Sequence, residues 1–330
     1  MKDTITDVPG IEVGHAQDLQ AGTGCTVVLC RKGATPGISV FGGAPATRET
    51  DCLRPENVVT EAHAVVLTGG SAYGLDCAGG VMRYLEEQGI GYNIGPTRVP
   101  IVPSAALNDL AFADHRVRPD AAMGYQACLN ASAINTEQGN VGAGTGAAIG
   151  RLEGNARGMV KGGLGVASFS VGELIVGAIV AVNCNGDVMD PETGETLAGT
   201  LNPERTGVAG AMRLLTTRNE QYKEGFPSNT TIGVVATNAV LDKAYATRVA
   251  MMAQDGYART IVPIHTLGDG DVTFCMATGE LRADPLRVGA IAAWVMARAV
   301  VKAVKAAESL HGLPASRDLL QRRRSGGIVK

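Results

Sequence analysis

Four short runs of consecutive apolar residues mark the chain: Thr26 to Leu29, His63 to Leu67, Leu174 to Val182 and Ile232 to Ala236. Each is rich in valine and isoleucine and bounded by glycine or polar residues, the pattern of buried strands. Apolar positions at helical spacing predict helices over Ala72 to Gln88, Ala121 to Ala131, Pro203 to Leu215, Asp242 to Tyr257 and Leu286 to Ala307. In the fourth of these, Asp242 is placed to cap the N-terminus while Ala246, Val249, Ala250 and Ala253 recur on one face, so this helix packs and carries no chemistry. Strands and helices alternate without a repeated unit or a Pro-, Ser- or Gly-rich linker, which predicts one layered α/β domain. The segment from Asn219 to Asn229 reads as loose, being polar and punctuated by Gly225 and Pro227 directly before a strand. Gln321 to Gly327 reads as a solvated tail.

Composition narrows the partners. The 44 glycines among 330 residues are roughly twice average usage and predict tight turns and close backbone approaches. A formal net charge of -3 offers no excess of positive potential for phosphates, which argues against nucleic acid and for a small substrate. The start, Met1 to Asp7, is acidic where a signal peptide is basic, and no apolar run is long enough to cross a bilayer. A cytoplasmic protein without membrane association is expected. The seven cysteines form no CxxC pair, so reduced and mostly buried thiols are expected, and the five histidines stand apart from one another, so no metal site is expected.

The stretch Pro227-Ser228-Asn229-Thr230-Thr231-Ile232 runs from a polar loop straight into an apolar strand with a hydroxyl at the junction. Attack of the Thr230 hydroxyl on the Asn229 carbonyl, followed by ester hydrolysis, would free the Thr230 amine. With a pKa near about 7.7 to 8.0, such an amine can serve as the nucleophile's own base. The competing reading is a Thr-Thr pair that begins a strand because β-branched residues suit strands. His265-Thr266-Leu267-Gly268-Asp269-Gly270-Asp271 places two carboxylates one residue apart, either to orient a hydroxyl or an amine, or simply as turn acids. The glycine runs Thr68 to Gly74, which includes Tyr73, and Gly142 to Gly146 either present amides to an anion or mark close packing.

Taken in order, these fragments resemble the P1 family of peptidases. The segments that carry the resemblance are Ile5 to His15, Gly42 to Asp51, Thr68 to Gly74, Gly142 to Gly146, Asn229 to Thr237 and His265 to Asp271, so it spans nearly the whole chain. The family includes L-aminopeptidase/D-esterases, β-peptidyl aminopeptidases and 6-aminohexanoate-oligomer hydrolases. The resemblance implies a four-layer αββα sandwich of the N-terminal-nucleophile-hydrolase kind, a single compact domain cleaved by itself into residues 1–229 and 230–330. It also implies a homo-oligomer, commonly a tetramer of processed units, acting on small molecules or short peptides with no metal or organic cofactor. Carried over by position, Thr230 is the nucleophile, Asp269 and Asp271 support its hydroxyl and amine, and the Asn183 side chain holds the oxyanion. Tyr73, Asn108 and Arg151 fall where substrate is held. The last two are departures: the oligomer hydrolases carry a tyrosine at the Asn108 position and a lysine at the Arg151 position, and arginine is a fixed cation. The alternatives are nylon-oligomer hydrolysis, acyl transfer on the same fold, and a non-catalytic protein that binds a small metabolite through its glycine loops.

Overall fold

The computed structural model describes residues 1–152, 158–217 and 229–320, so most of the segment read as loose and the C-terminal tail lie outside the described residues. The longer strands are β1 (Glu12–Asp18), β2 (Thr23–Val40), β3 (Ala62–Thr68), β4 (Ser104–Ala106), β5 (Gly163–Val171), β6 (Leu174–Val182), β7 (Ile232–Ala239) and β8 (Val272–Leu281). The helices are α1 (Cys77–Glu87), α2 (Ala121–Leu129), α3 (Ala211–Thr217), α4 (Lys243–Thr260) and α5 (Pro285–Ala306). β2 organises the architecture. Its first half, Thr23 to Leu29, pairs antiparallel with β1 on one side and β3 on the other, and its second half, Thr35 to Val40, pairs antiparallel with β8. The register breaks between Leu29 and Ala34, where Gly33 takes φ +83, a backbone conformation open to glycine at little cost. There the strand leaves one half of the sheet and enters the other, in which β5, β6, β7, β8 and β2 lie side by side with only the β7–β8 pair parallel.

Three cores separate four layers. Val28, Val65 and Leu67 of the first half meet Ile179, Val234 and Phe274 of the second. Behind the second half, Val176, Val180 and Val235 pack on Val249, Ala253, Val295 and Val300 of α4 and α5. Behind the first, Val27, Leu29 and Val66 pack on Val81, Leu85 and Ala127 of α1 and α2. Chain neighbours such as Val27 and Val28, or Val234 and Val235, therefore enter opposite cores. This is why these strands read as unbroken apolar runs and not as alternating ones. The αββα sandwich expected from the family resemblance is the fold.

Asp242 caps α4 through the Tyr245 N–H at 2.8 Å, and α5 covers the predicted span within a residue at each end. The helix predicted from Pro203 is the exception, because α3 begins only at Ala211. The preceding residues form a turn in which the Asn202 side chain accepts from the N–H groups of Thr206 and Gly207, and Gly210 takes φ +91. An asparagine side chain that competes for backbone donors in this way disfavours the helix. Among the described residues no helix is long and apolar enough to cross a membrane.

Candidate active site

Strand register builds the site. β6 and β7 pair antiparallel from Val176↔Thr237 to Ala181↔Ile232. The next step of that ladder puts the Thr230 N–H on the Asn183 carbonyl at 2.5 Å. On the other flank, the parallel β7–β8 ladder continues backwards through an Asn229↔Asp269 bridge, with Asn229 N–H donating to Gly268 (3.2 Å) and Gly270 N–H to the Asn229 carbonyl (3.0 Å). The end of β6, the entry to β7 and the loop before β8 therefore meet at one point. Thr230 is 3% exposed, Asn183 1%, and Asp269 and Asp271 not at all. In the intact chain the Thr230 hydroxyl donates to the Asn229 carbonyl oxygen at 2.5 Å.

The two carboxylates hold the neighbours of Thr230. Asp269 accepts from Asn185 Nδ2 at 2.9 Å and from the backbone N–H and hydroxyl of Thr266. Asp271 accepts from Thr231 N–H at 2.8 Å and from His265 N–H at 3.1 Å, and His265 Nδ1 lies 2.9 Å from the same carboxylate. Burial and the adjacent Asp271 push the Asp269 carboxyl up to about 6. Among the described residues neither carboxylate bonds Thr230 itself. Asp271 reaches Thr230 at one remove, through the Thr231 amide.

Asn183 is fixed from both ends. Its side-chain oxygen accepts from Ala148 N–H at 2.9 Å, which turns Nδ2 away, 3.5 Å from the Asn108 carbonyl. Asn108, Arg151, Asn183 and Asn229 line one small pocket together with Asp109 and Phe112. Burial lowers the Arg151 guanidinium from its ordinary value. Tyr73 is not among the residues lining this pocket. It is exposed, with the Arg118 guanidinium 3.9 Å above its ring.

The glycine runs serve the protein's own groups. Gly70 N–H donates to the buried Asp109 carboxylate at 2.7 Å, and a side chain at Gly69 or Gly146 would collide with that carboxylate. Gly142 N–H goes to Gln17 and Ala143 N–H to Thr26. On the carbonyl side, the wholly buried Lys161 donates to Gly144, Ala147 and Gly162 at 2.8, 2.9 and 2.8 Å. Its neighbour in this arrangement is the Ala148 N–H that orients Asn183. Sequence reasoning assigned no role to Lys161 or Asn185. Asn185 stood two residues from Asn183, just past the end of β6, but a lone lysine in Val160-Lys161-Gly162-Gly163 carries no such signal.

Residues 3–317 match the family model described as peptidase family S58. The chain belongs to peptidase family S58. This S58 chain is 43% identical over 94% of its length to an uncharacterised aminopeptidase of Mycobacterium leprae, and covers 92% of that protein. It is 30% identical over 91% of its length to a 6-aminohexanoate-oligomer endohydrolase of a Kocuria strain, covering 85% of that enzyme. The solved L-aminopeptidase D-Ala-esterase/amidase of Ochrobactrum anthropi, described as a variant of the Ntn hydrolase fold, superposes with a TM-score of 0.73 at 20% identity, covering 100% of this chain and 95% of that one. The S58 chain is a hydrolase of the aminopeptidase type, as the ordered motifs implied.

Proposed function

We propose that this S58 hydrolase cuts its own chain between Asn229 and Thr230 and then uses Thr230 as an N-terminal nucleophile on small peptides, amides or esters. The observation that carries this reading is the buried contact of the Thr230 hydroxyl with the carbonyl of the residue before it. In self-cleavage the Thr230 oxygen adds to the Asn229 carbonyl carbon, the C–N bond breaks, and the hydroxyl proton ends on the freed amine. Water then hydrolyses the ester. The Asn183 carbonyl, already on the Thr230 nitrogen, is placed to hold that amine near the hydroxyl it would activate.

In turnover the amine takes the hydroxyl proton as oxygen adds to the substrate carbonyl, then passes it to the leaving amine, and water releases the acyl group. The Asn183 Nδ2 group stabilises the oxyanion, a donor typically worth about 3 to 4 kcal/mol. Asn108 and Arg151 line the pocket beside it. The test is the intact mass of wild type and Thr230→Ala under denaturing conditions. Two fragments meeting at Asn229-Thr230 in wild type and one chain in the mutant are expected. A single full-length mass in both after prolonged incubation would sink the reading.

A further inference from the structure

The Asn229 carbonyl oxygen receives two donors of different kinds, the Thr230 hydroxyl at 2.5 Å and the Gly270 backbone N–H at 3.0 Å. The hydroxyl must leave that oxygen to attack the carbon beside it. The N–H stays, because the surrounding backbone is pinned: Asp269 N–H donates to Thr266 (3.1 Å), Ala44 N–H to Asp269 (2.9 Å) and Phe41 N–H to Asp271 (3.1 Å). Asn229, Asp269 and Asp271 are buried, so water does not compete and a fixed dipole acts at close to full strength. Position 270 also has no room for a side chain, since a Cβ there would stand 2.8 Å from the Thr230 oxygen and 2.6 Å from the Ala44 carbonyl. The residue between the two aspartates can contribute only its backbone.

Resting on the self-cleavage reading, we propose that the Gly270 N–H is the oxyanion donor of the cut between Asn229 and Thr230, a role distinct from that of the Asn183 side chain in substrate turnover. As the Thr230 Oγ1–C bond forms, the carbonyl π pair moves onto the Asn229 oxygen. The Gly270 N–H is within hydrogen-bond distance before reaction and binds that oxygen more strongly as its charge grows. The pair returns as the C–N bond breaks, and the hydroxyl proton is delivered to the departing Thr230 nitrogen. Among the described residues the Asn183 side chain makes no bond to the Asn229 oxygen: its own oxygen is on Ala148 N–H and its Nδ2 lies 3.5 Å from the Asn108 carbonyl. One rung of the β7–β8 ladder thus both pairs the strands and polarises the bond to be cut.

Backbone ester substitution during in vitro translation of the full chain tests this. Gly270→glycolic acid removes the N–H in question. Val272→2-hydroxy-3-methylbutanoic acid removes the next rung, from Val272 N–H to the Thr231 carbonyl at 3.0 Å, without touching Asn229. Wild type and the Val272 ester should cleave alike, and the Gly270 ester about 10²- to 10³-fold more slowly, with all three equally resistant to trypsin. A Gly270 ester that cleaves as fast as the Val272 ester overturns the inference alone. So does one that is slow only because it is unfolded and digested. If wild type fails to cleave, the self-cleavage reading falls and takes this inference with it.

Discussion

Replacing Lys161 by methionine keeps the length of the side chain and removes its charge and its three donors. The carbonyls of Gly144, Ala147 and Gly162 then lose their bonds to Nζ in a site without solvent. The Ala147 and Gly144 carbonyls keep the N–H groups of Gly162 (2.9 Å) and Ala147 (3.3 Å), so the full cost of an unsatisfied buried acceptor, about 1 to 3 kcal/mol, falls on Gly162. Against it stands the relief of no longer burying an ammonium. At neutral pH the two nearly offset, and at alkaline pH, where no ammonium is buried, we expect a net destabilisation of about 2 kcal/mol, which for a chain of this size lowers Tm by about 3 °C. The pH dependence fixes the cause. Burial brings the Lys161 pKa down to about 7 from 10.5, so between those values the unfolded chain binds the proton and the folded chain releases it. Wild-type stability gained from this group therefore rises with pH across that window, and Lys161→Met lacks the gain. Thermal melts at neutral and alkaline pH should show a gap that widens with pH. Hydrolysis of a small aminoacyl amide should fall in kcat more than in KM, by up to about 100-fold, because the Ala147–Ala148 peptide that orients Asn183 is no longer anchored. A mutant melting within about 1 °C of wild type at alkaline pH, or a gap that closes as pH rises, would refute the reasoning.

Asn185→Ala deprives Asp269 of the donor at 2.9 Å, and its carboxyl, already pushed up to about 6 by burial and by Asp271, should climb further. If self-cleavage needs the ionised carboxylate, its rate rises with pH through about 6 in wild type, and its midpoint should move alkaline by about one unit in the mutant; an unmoved midpoint would detach Asp269 from the step. Asn108→Tyr with Arg151→Lys restores the side chains of the oligomer hydrolases in the pocket, and should yield measurable release of 6-aminohexanoate from its oligomers where wild type gives little. No gain in a mutant that still self-cleaves would place substrate selection outside these two positions.

Much of the fold is written in the apolar runs because nearly every residue of β6, and of β7 from Ile232 to Ala236, enters one of two cores, leaving nothing polar to interrupt those runs. β2 was legible only over Thr26 to Leu29. Its continuation carries Gly33, Pro36 and Gly37, residues that ordinarily argue against a strand. Here Gly33 makes the bend between the two halves, and a side chain at Gly37 would collide with the backbone of α4 at Ala246. The site was harder to read. Thr230 and Asn183 lie far apart in sequence, and nothing local announces that antiparallel register sets them face to face. The junction hydroxyl of Thr230 and the paired acids Asp269 and Asp271 were readable as candidates beside blander readings, and the resemblance decided between them, whereas the role of Asn183 came from resemblance alone. Asn108 and Arg151 do share a pocket with Asn183, whereas Tyr73 is exposed on the 3-10 helix Ser71–Asp76, with the Arg118 guanidinium over its ring.

The order of strands across the sheet has a consequence for the life of the molecule. β7 and β8 stand between β6 and β2. A cut at Asn229–Thr230 would leave those two inner strands on one polypeptide and their outer neighbours on another, so the pieces would interleave and neither could depart without tearing the sheet along both flanks. Maturation would then run in one direction. The nascent chain folds as a unimolecular event, but its descendants, once denatured, must find each other by collision, and recovery would depend on concentration. The mature enzyme would hold an assembly that its own chains reach readily only before the peptide bond between them is lost.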